Sequence, residues 1–209
     1  MLSDLSLLQF SAQTAAKSPT PGGGSVAAYL GALGAGLGAM AARFTEGRKG
    51  FEPHAAALAA EIAALDGLRA QLERLVDADS ASYDRVTAAY GLPKGSEAEK
   101  AARAQAIQEA LREAMQTPLG TCRLALQALE LLESLGGHVN PNLASDVAVG
   151  AYALGAGFRG AWVNVLINLS GLKDEALRAQ VLAEGEALAA RARQLEERVA
   201  GGIVRGLRG

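Results

Sequence analysis

No stretch of the chain alternates apolar and polar residues as a half-buried strand does, and β-branched runs are nearly absent. Helix signals run from end to end instead. The pattern predicts a first helix over roughly 3–17, stopped near Pro19 and Pro21. A second begins after the glycines of "PTPGGGSVAAYLG", with Ser25 as its N-cap, and ends near Phe44. "TEGRKGFEP" reads as a short basic loop, and Pro53 suits the first turn of a helix that runs to Tyr90, about 57 Å at 1.5 Å per residue. "GLPKG" breaks it. Ser96 and Glu99 then form a capping box that opens a helix to about Leu135, with a kink expected at Pro118. "GGHVNPN" ends that helix, another spans about 143–170 up to Gly171, and a charged amphipathic one covers about 174–200. The expected fold is all-α: a single-domain bundle of about six helices around a long central Gly/Ala-rich helix.

Composition sharpens this picture. The 209 residues are 50% hydrophobic but only 4% aromatic, so Ala, Leu and Gly must carry the interior and backbones must approach closely. Residues 22–42 carry no charge and are long enough to span a bilayer. However, Ala and Gly gain little from transfer into lipid. The rows Gly31, Ala35, Ala39 and Gly34, Gly38, Ala42 suit helix-on-helix contact, so a buried core helix is the expectation and no membrane partner. A net charge of −2 argues against a nucleic-acid partner. One cysteine, Cys122, forms no internal disulfide, and two histidines with one cysteine make a poor ligand set, so no metal is expected. The N-terminus lacks a basic start and a long apolar run, which reads as cytoplasmic.

Four stretches can carry chemistry. The glycines Gly22, Gly23 and Gly24 with Ser25 are no phosphate loop, since neither a GK[ST] sequence nor a preceding strand is present. They still expose backbone N–H groups at the positive end of a helix, or else form a flexible capped turn. Along "NLASDVAVGAYALGAGFRGAWVNVLINLS", Asp146, Gly150, Ala153, Gly157, Ala161, Asn164 and Asn168 fall on one helical stripe. The two amides need partners, from a neighbouring helix or from a ligand. "LVDADSASYDRV" sets Asp79 and Tyr83 four residues apart among other charges, on either a solvated face or a site. Arg48 and Lys49 sit in a glycine-flanked loop suited to a carboxylate, or simply to solvent. His54 and His138 read as ordinary surface or capping residues.

Three segments in order, "SPTPGGGSVAAYLGALGAGLGAMAARFTEGRKGFE", "LVDADSASYDRVTAAYGLPKGSEAEKAARAQAIQEALREAMQTPL" and "NPNLASDVAVGAYALGAGFRGAWVNVLINLSGLKDEA", resemble the cyclodeaminase domain of formiminotransferase-cyclodeaminase and the stand-alone bacterial methenyltetrahydrofolate cyclohydrolases. Glu46 stands where the bifunctional enzymes are expected to carry an aromatic, and His138 where Asn is common, so both reactions stay open. The resemblance implies a homodimeric enzyme with a one-carbon tetrahydrofolate as substrate and no cofactor. It makes Asp146 or Asp79 the proton-transferring carboxylate. Gly22, Gly23, Gly24 and Ser25 would close the pterin pocket, Asn164 and Asn168 would orient the ring, and Arg48 and Lys49 would hold the glutamate tail. A folate-binding regulator without turnover, or a purely structural dimer, is the alternative.

Overall fold

The computed structural model describes residues 1–208. Its helices are α1 (Leu7–Thr14), α2 (Gly23–Thr45), α3 (Ala55–Tyr90), α4 (Glu97–Gly136), α5 (Ala144–Ser170), α6 (Glu175–Glu196) and α7 (Gly202–Leu207), and no strand occurs among the described residues. Short 3₁₀ turns, Leu2–Asp4, Glu52–His54 and Pro141–Leu143, precede α1, α3 and α5. The all-α bundle is therefore as the helical periodicity requires.

Several boundaries differ from the sequence pattern, each for a local reason. The first helix is shorter because Ser6 and Gln9 make a reciprocal capping box that fixes its start, leaving residues 2–4 as a separate turn. Ser25 is not the N-cap of α2. That position is Gly22, and Ser25 is the third helical residue, with its hydroxyl spent on another helix. Pro118 does not interrupt α4, which runs on past it for a total of 40 residues. The last helix, by contrast, does not run straight through. A π-helical turn over Glu197–Gly201 separates α6 from α7. The capping box of Ser96 with Glu99 forms as expected.

α2 is the axis of the bundle, with thirteen buried residues, all of them Gly, Ala, Ser or Thr. It is the one helix among the described residues long and apolar enough to cross a membrane, but 61% of its most apolar window is buried by the rest of the protein, the mark of a core helix. Its neighbour α5 runs antiparallel to it at backbone contact. A Cβ on Gly34 would lie 2.6 Å from the Gly150 carbonyl oxygen, and one on Gly157 would lie 2.8 Å from the Ala27 carbonyl oxygen and 3.0 Å from the Gly31 nitrogen. On its other flanks α2 meets larger side chains. Cβ atoms on Gly31 and Gly38 would touch Leu72 and Leu65 of α3, each at 3.2 Å, and one on Gly38 would also strike Leu132 of α4. The leucines of α3 and α4 fill the space that the small residues of α2 leave, and α6 closes the outer side through ion pairs to α4 such as Arg123–Glu184 and Arg112–Asp174. Cys122 is buried here, its Sγ 3.7 Å from the Phe158 carbonyl oxygen, and burial pushes its thiol up to about 12.

Gly34→Ala and Gly157→Ala should each cost about 1–3 kcal/mol, because the new methyl meets backbone that cannot yield without separating the helices. Gly67→Ala, at an exposed position of α3 with nothing within 4 Å of the added carbon, should instead stabilise by about 1 kcal/mol. Urea unfolding of the three variants checks the opposite signs.

Candidate functional site

The start of α2 is a helix terminus without a cap of its own. Gly22 has no side chain to offer, and the first helical bond runs from the Val26 N–H to the Gly22 carbonyl. The N–H groups of Gly23, Gly24 and Ser25 therefore have no partner within the helix. The missing acceptor comes from α3. Asp79 lays its carboxylate against this terminus, where a Cβ on Gly24 would fall inside the carboxyl group. Ser25 is fully buried beneath it, with its hydroxyl oxygen 2.9 Å from the Val76 carbonyl and 3.0 Å from Asp79 Oδ2. Burial lifts the Asp79 pKa above the ordinary carboxylate range, while the Ser25 side chain and amide pull it back.

The third wall is the C-terminal part of α5. Antiparallel packing carries Asn164 to Gly23, where an added Cβ would lie 3.3 Å from the amide nitrogen. Asn164 Nδ2 donates to the Gly160 carbonyl at 2.9 Å and Asn168 Nδ2 to the Asn164 carbonyl at 3.0 Å. These bonds lie within α5 itself and leave the amide oxygens as acceptors. Between the three elements lies a cavity of about 310 Å³, lined by Pro19, Thr20, Gly22, Gly23, Asp79, Ser82, Tyr83, Val86, Ala114, Asn164, Ile167 and Asn168. An acid, a row of amide donors and two amide acceptors thus face one space. That set can hold a flat polar ring by its edge and move a proton beside it.

Of the residues singled out in the sequence, Gly22, Gly23, Gly24, Ser25, Asp79, Asn164 and Asn168 come together here. Arg48 and Lys49 do not. They follow the far end of α2, whose 23 residues span about 35 Å. Asp146 does not either. It shares the stripe with Asn164 but lies in the first turn of α5, about 27 Å away along the axis. A helical stripe reports direction around the axis and says nothing of distance along it. Pro19, Thr20, Ser82, Tyr83, Ala114 and Ile167 join the wall without having been singled out as site residues, although the four-residue spacing of Asp79 and Tyr83 already placed those two together.

Two other places compete for attention. A cavity of about 490 Å³ lies under the N-terminal segment, between Phe10, Tyr29, Arg74 and Asp77. Its two carboxylates are already engaged, Asp77 accepting from the Leu2 N–H and the Ser3 hydroxyl at 2.5 Å each and Glu73 accepting from Arg69 at 2.6 Å. At the opposite end of the bundle His138 is no surface residue. Its Nε2 meets the buried Glu61 at 2.8 Å, Ser134 donates to the same carboxylate at 2.7 Å, and the His54 ring stacks on it with centroids 5.0 Å apart. That cluster ties the chain after α4 to α3.

Comparison with known proteins agrees over nearly the whole chain. The formiminotransferase-cyclodeaminase family pattern matches residues 6–187. A methenyltetrahydrofolate cyclohydrolase of Methylorubrum extorquens is 41% identical over 185 residues, 88% of this chain and 89% of that protein. The formimidoyltransferase-cyclodeaminase of Mus musculus is 39% identical over 85% of this chain, which spans only 33% of that longer protein. The crystal structure of formiminotetrahydrofolate cyclodeaminase from Thermotoga maritima superposes with a TM-score of 0.86 at 34% identity, covering 98% of this chain and all of that one.

The raised Asp79 pKa fixes the sign of a pH effect. The folded protein holds this proton more tightly than the unfolded chain does, so the contribution is full below the ordinary value of 3.8 and is lost as pH rises through the folded pKa. The thermal midpoint of the native protein should therefore fall, over that rise, relative to Asp79→Asn, which cannot ionise. Parallel midpoint-versus-pH curves would contradict the burial of this carboxyl.

Proposed function

The chain belongs to the formiminotransferase-cyclodeaminase family, and on that premise we propose that it is a folate one-carbon enzyme with its site at the start of α2. It either cyclises formimino-tetrahydrofolate to methenyl-tetrahydrofolate with release of ammonia or hydrolyses methenyl-tetrahydrofolate to formyl-tetrahydrofolate. The observation that carries the reading is the Asp79 carboxyl held between the uncapped terminus of α2 and the amides of α5.

The two reactions share a demand. In the first, nitrogen 10 attacks the carbon of the protonated formimino group, nitrogen 10 loses its proton, and the departing NH2 gains one and leaves as ammonia, the positive charge staying on the methenyl bridge. In the second, water adds to the bridge carbon and loses a proton, the bond to nitrogen 5 breaks as that nitrogen gains one, and the remaining hydroxyl proton is released as the formyl carbonyl forms. Each passes through a tetrahedral carbon and needs one group that gives and takes a proton at that carbon. Asp79 fills that role. The amide oxygens of Asn164 and Asn168 accept from the ring N–H groups, and the N–H groups of Gly23 and Gly24 turn toward ring acceptors. The chemistry asks only for proton transfer and fixed dipoles, so no cofactor is invoked. About 310 Å³ is at the small end of ligand pockets, enough for the bicyclic head with the tail outside. At the rim Arg85 takes the place assigned to Arg48 and Lys49. Its guanidinium donates to the Ser82 hydroxyl on the cavity wall at 3.1 Å, and its exposed contact with Glu113 at 3.6 Å is one that a glutamate carboxylate would compete for.

A homodimer suits the outer surface. α2 exposes Leu33 and Phe44, and α5 exposes Val149, Tyr152, Val163 and Ile167, at helical spacing on the same side of the bundle. A second copy would cover this two-helix apolar face.

A paired assay tests the reaction: loss of methenyl-tetrahydrofolate absorbance against ammonia release from formimino-tetrahydrofolate, with neither activity refuting the reading. In whichever reaction runs, Asp79→Asn should lower turnover about 10²–10⁴-fold with the helical fold kept, and Asp146→Asn should stay close to the native rate. For the dimer, the solution mass should be twice 21.4 kDa and should fall toward the monomer in a Leu33→Asp, Val149→Asp double variant. A monomeric native protein would refute it.

A further inference from the structure

Pro118 is the one proline inside an α-helix among the described residues, and the other five of the six lie in loops or 3₁₀ turns. A helix accepts proline in its first turn but is weakened by one in its interior. The ring has no N–H for the carbonyl four residues earlier, and it crowds that carbonyl aside. Pro118 lies well inside α4, and the carbonyl it deprives is that of Ala114. A buried main-chain oxygen without a partner is unfavourable, so a protein that keeps one needs a reason.

The position of Ala114 supplies it. Ala114 is buried and lines the cavity at the start of α2. Across the wall, Ser82 of α3 sets its Oγ 3.3 Å from Thr117 Oγ1, next to Pro118. Neither hydroxyl is left for Ala114. Ser82 donates to the Ala78 carbonyl at 2.8 Å, so Thr117 donates to Ser82. One turn on, the Thr121 hydroxyl goes to the Thr117 carbonyl at 3.3 Å. The released oxygen is left to what enters the cavity.

We propose that Pro118 is a positioning residue for the ligand: it releases the Ala114 carbonyl from α4, and that carbonyl accepts an N–H from the edge of the tetrahydropterin ring. The inference rests on the functional reading above and extends it by a contact from a further helix. The bicyclic head donates from its exocyclic amine and from ring nitrogens 3 and 8, which are spread around its edge. Asn164 and Asn168 stand on α5 and meet such donors from one wall. Ala114 stands on α4 and offers an acceptor from another. A main-chain oxygen suits the task, since the helix holds it in place and no side-chain freedom is lost when the ligand binds.

Nuclear magnetic resonance of the whole chain tests this, with carbon-13 in the alanine carbonyls and nitrogen-15 in methionine. Such labelling selects the two Ala–Met peptides, Ala39–Met40 and Ala114–Met115. When tetrahydrofolate is added, the Ala114 carbonyl signal should move downfield, as a carbonyl does on gaining a hydrogen bond. The Ala39 signal, farther along α2, should stay. Pro118→Ala restores the missing N–H, so its Ala114 signal should lie downfield before any ligand arrives. Its affinity for tetrahydrofolate should fall about fivefold to tenfold, the effect of one hydrogen bond, and in turnover the loss should fall on KM rather than kcat. A purely structural proline gives no ligand response at Ala114. Binding of tetrahydrofolate with that signal unmoved, or with native affinity in Pro118→Ala, overturns the inference and leaves the functional reading standing. A native protein that binds no tetrahydrofolate refutes the functional reading, and this ligand contact with it. Should Pro118→Ala fail to fold, the response of the native Ala114 signal still decides.

Discussion

Backbone contact between α2 and α5 is the constraint on which the rest of this protein depends. Gly34 against Gly150, and Gly157 against Ala27 and Gly31, let two antiparallel helices approach until main-chain atoms touch. Such contact is worth little as buried area, since glycine and alanine have little to bury. Its value is positional. It fixes the register of α2 against α5 and thereby sets Gly23 beside Asn164 at one end and Thr45 beside Asn140 at the other, where the Asn140 N–H donates to the Thr45 hydroxyl at 3.0 Å.

From this register the site follows. A helix that begins with three glycines has no cap within its own sequence, and its first N–H groups need an acceptor from elsewhere. Asp79 supplies one from α3, and Gly24 is the residue that leaves room for it. The same contact that completes the helix end removes the carboxyl from water and wires it to Ser25. Structural demand and chemical use therefore coincide. The carboxyl that satisfies the helix terminus is also the one whose affinity for a proton is raised, next to the cavity.

The far end of the bundle shows the contrast. Glu61 is buried more deeply than Asp79, and Ser134 and His138 meet its two oxygens at 2.7 and 2.8 Å, so both are already paired within the protein. Arg48, Lys49 and Asp146 lie toward this end. A glycine-flanked basic loop and a shared helical stripe made them candidates, and the bundle geometry separates them from the amides and the glycine terminus.

The sequence by itself determined the all-α class, most helix boundaries and the close-packed role of residues 22–42, because helical period, breakers and small-residue rows are local signals. It also marked the glycine terminus, the two asparagines and Asp79, since uncapped N–H groups and amides in an apolar segment announce a need for partners wherever they occur. Only the tertiary structure decided which of two aspartates meets those partners. Asp146 and Asn164 share a face, but 18 positions on a rigid helix keep them about 27 Å apart. Asp79 is distant in sequence, and the crossing of α3 over the start of α2 brings it to hydrogen-bond distance of Ser25. The role of Ser25 was equally hidden. A serine after glycines reads as a cap, and only the position of the Val76 carbonyl shows that its hydrogen is claimed by another helix.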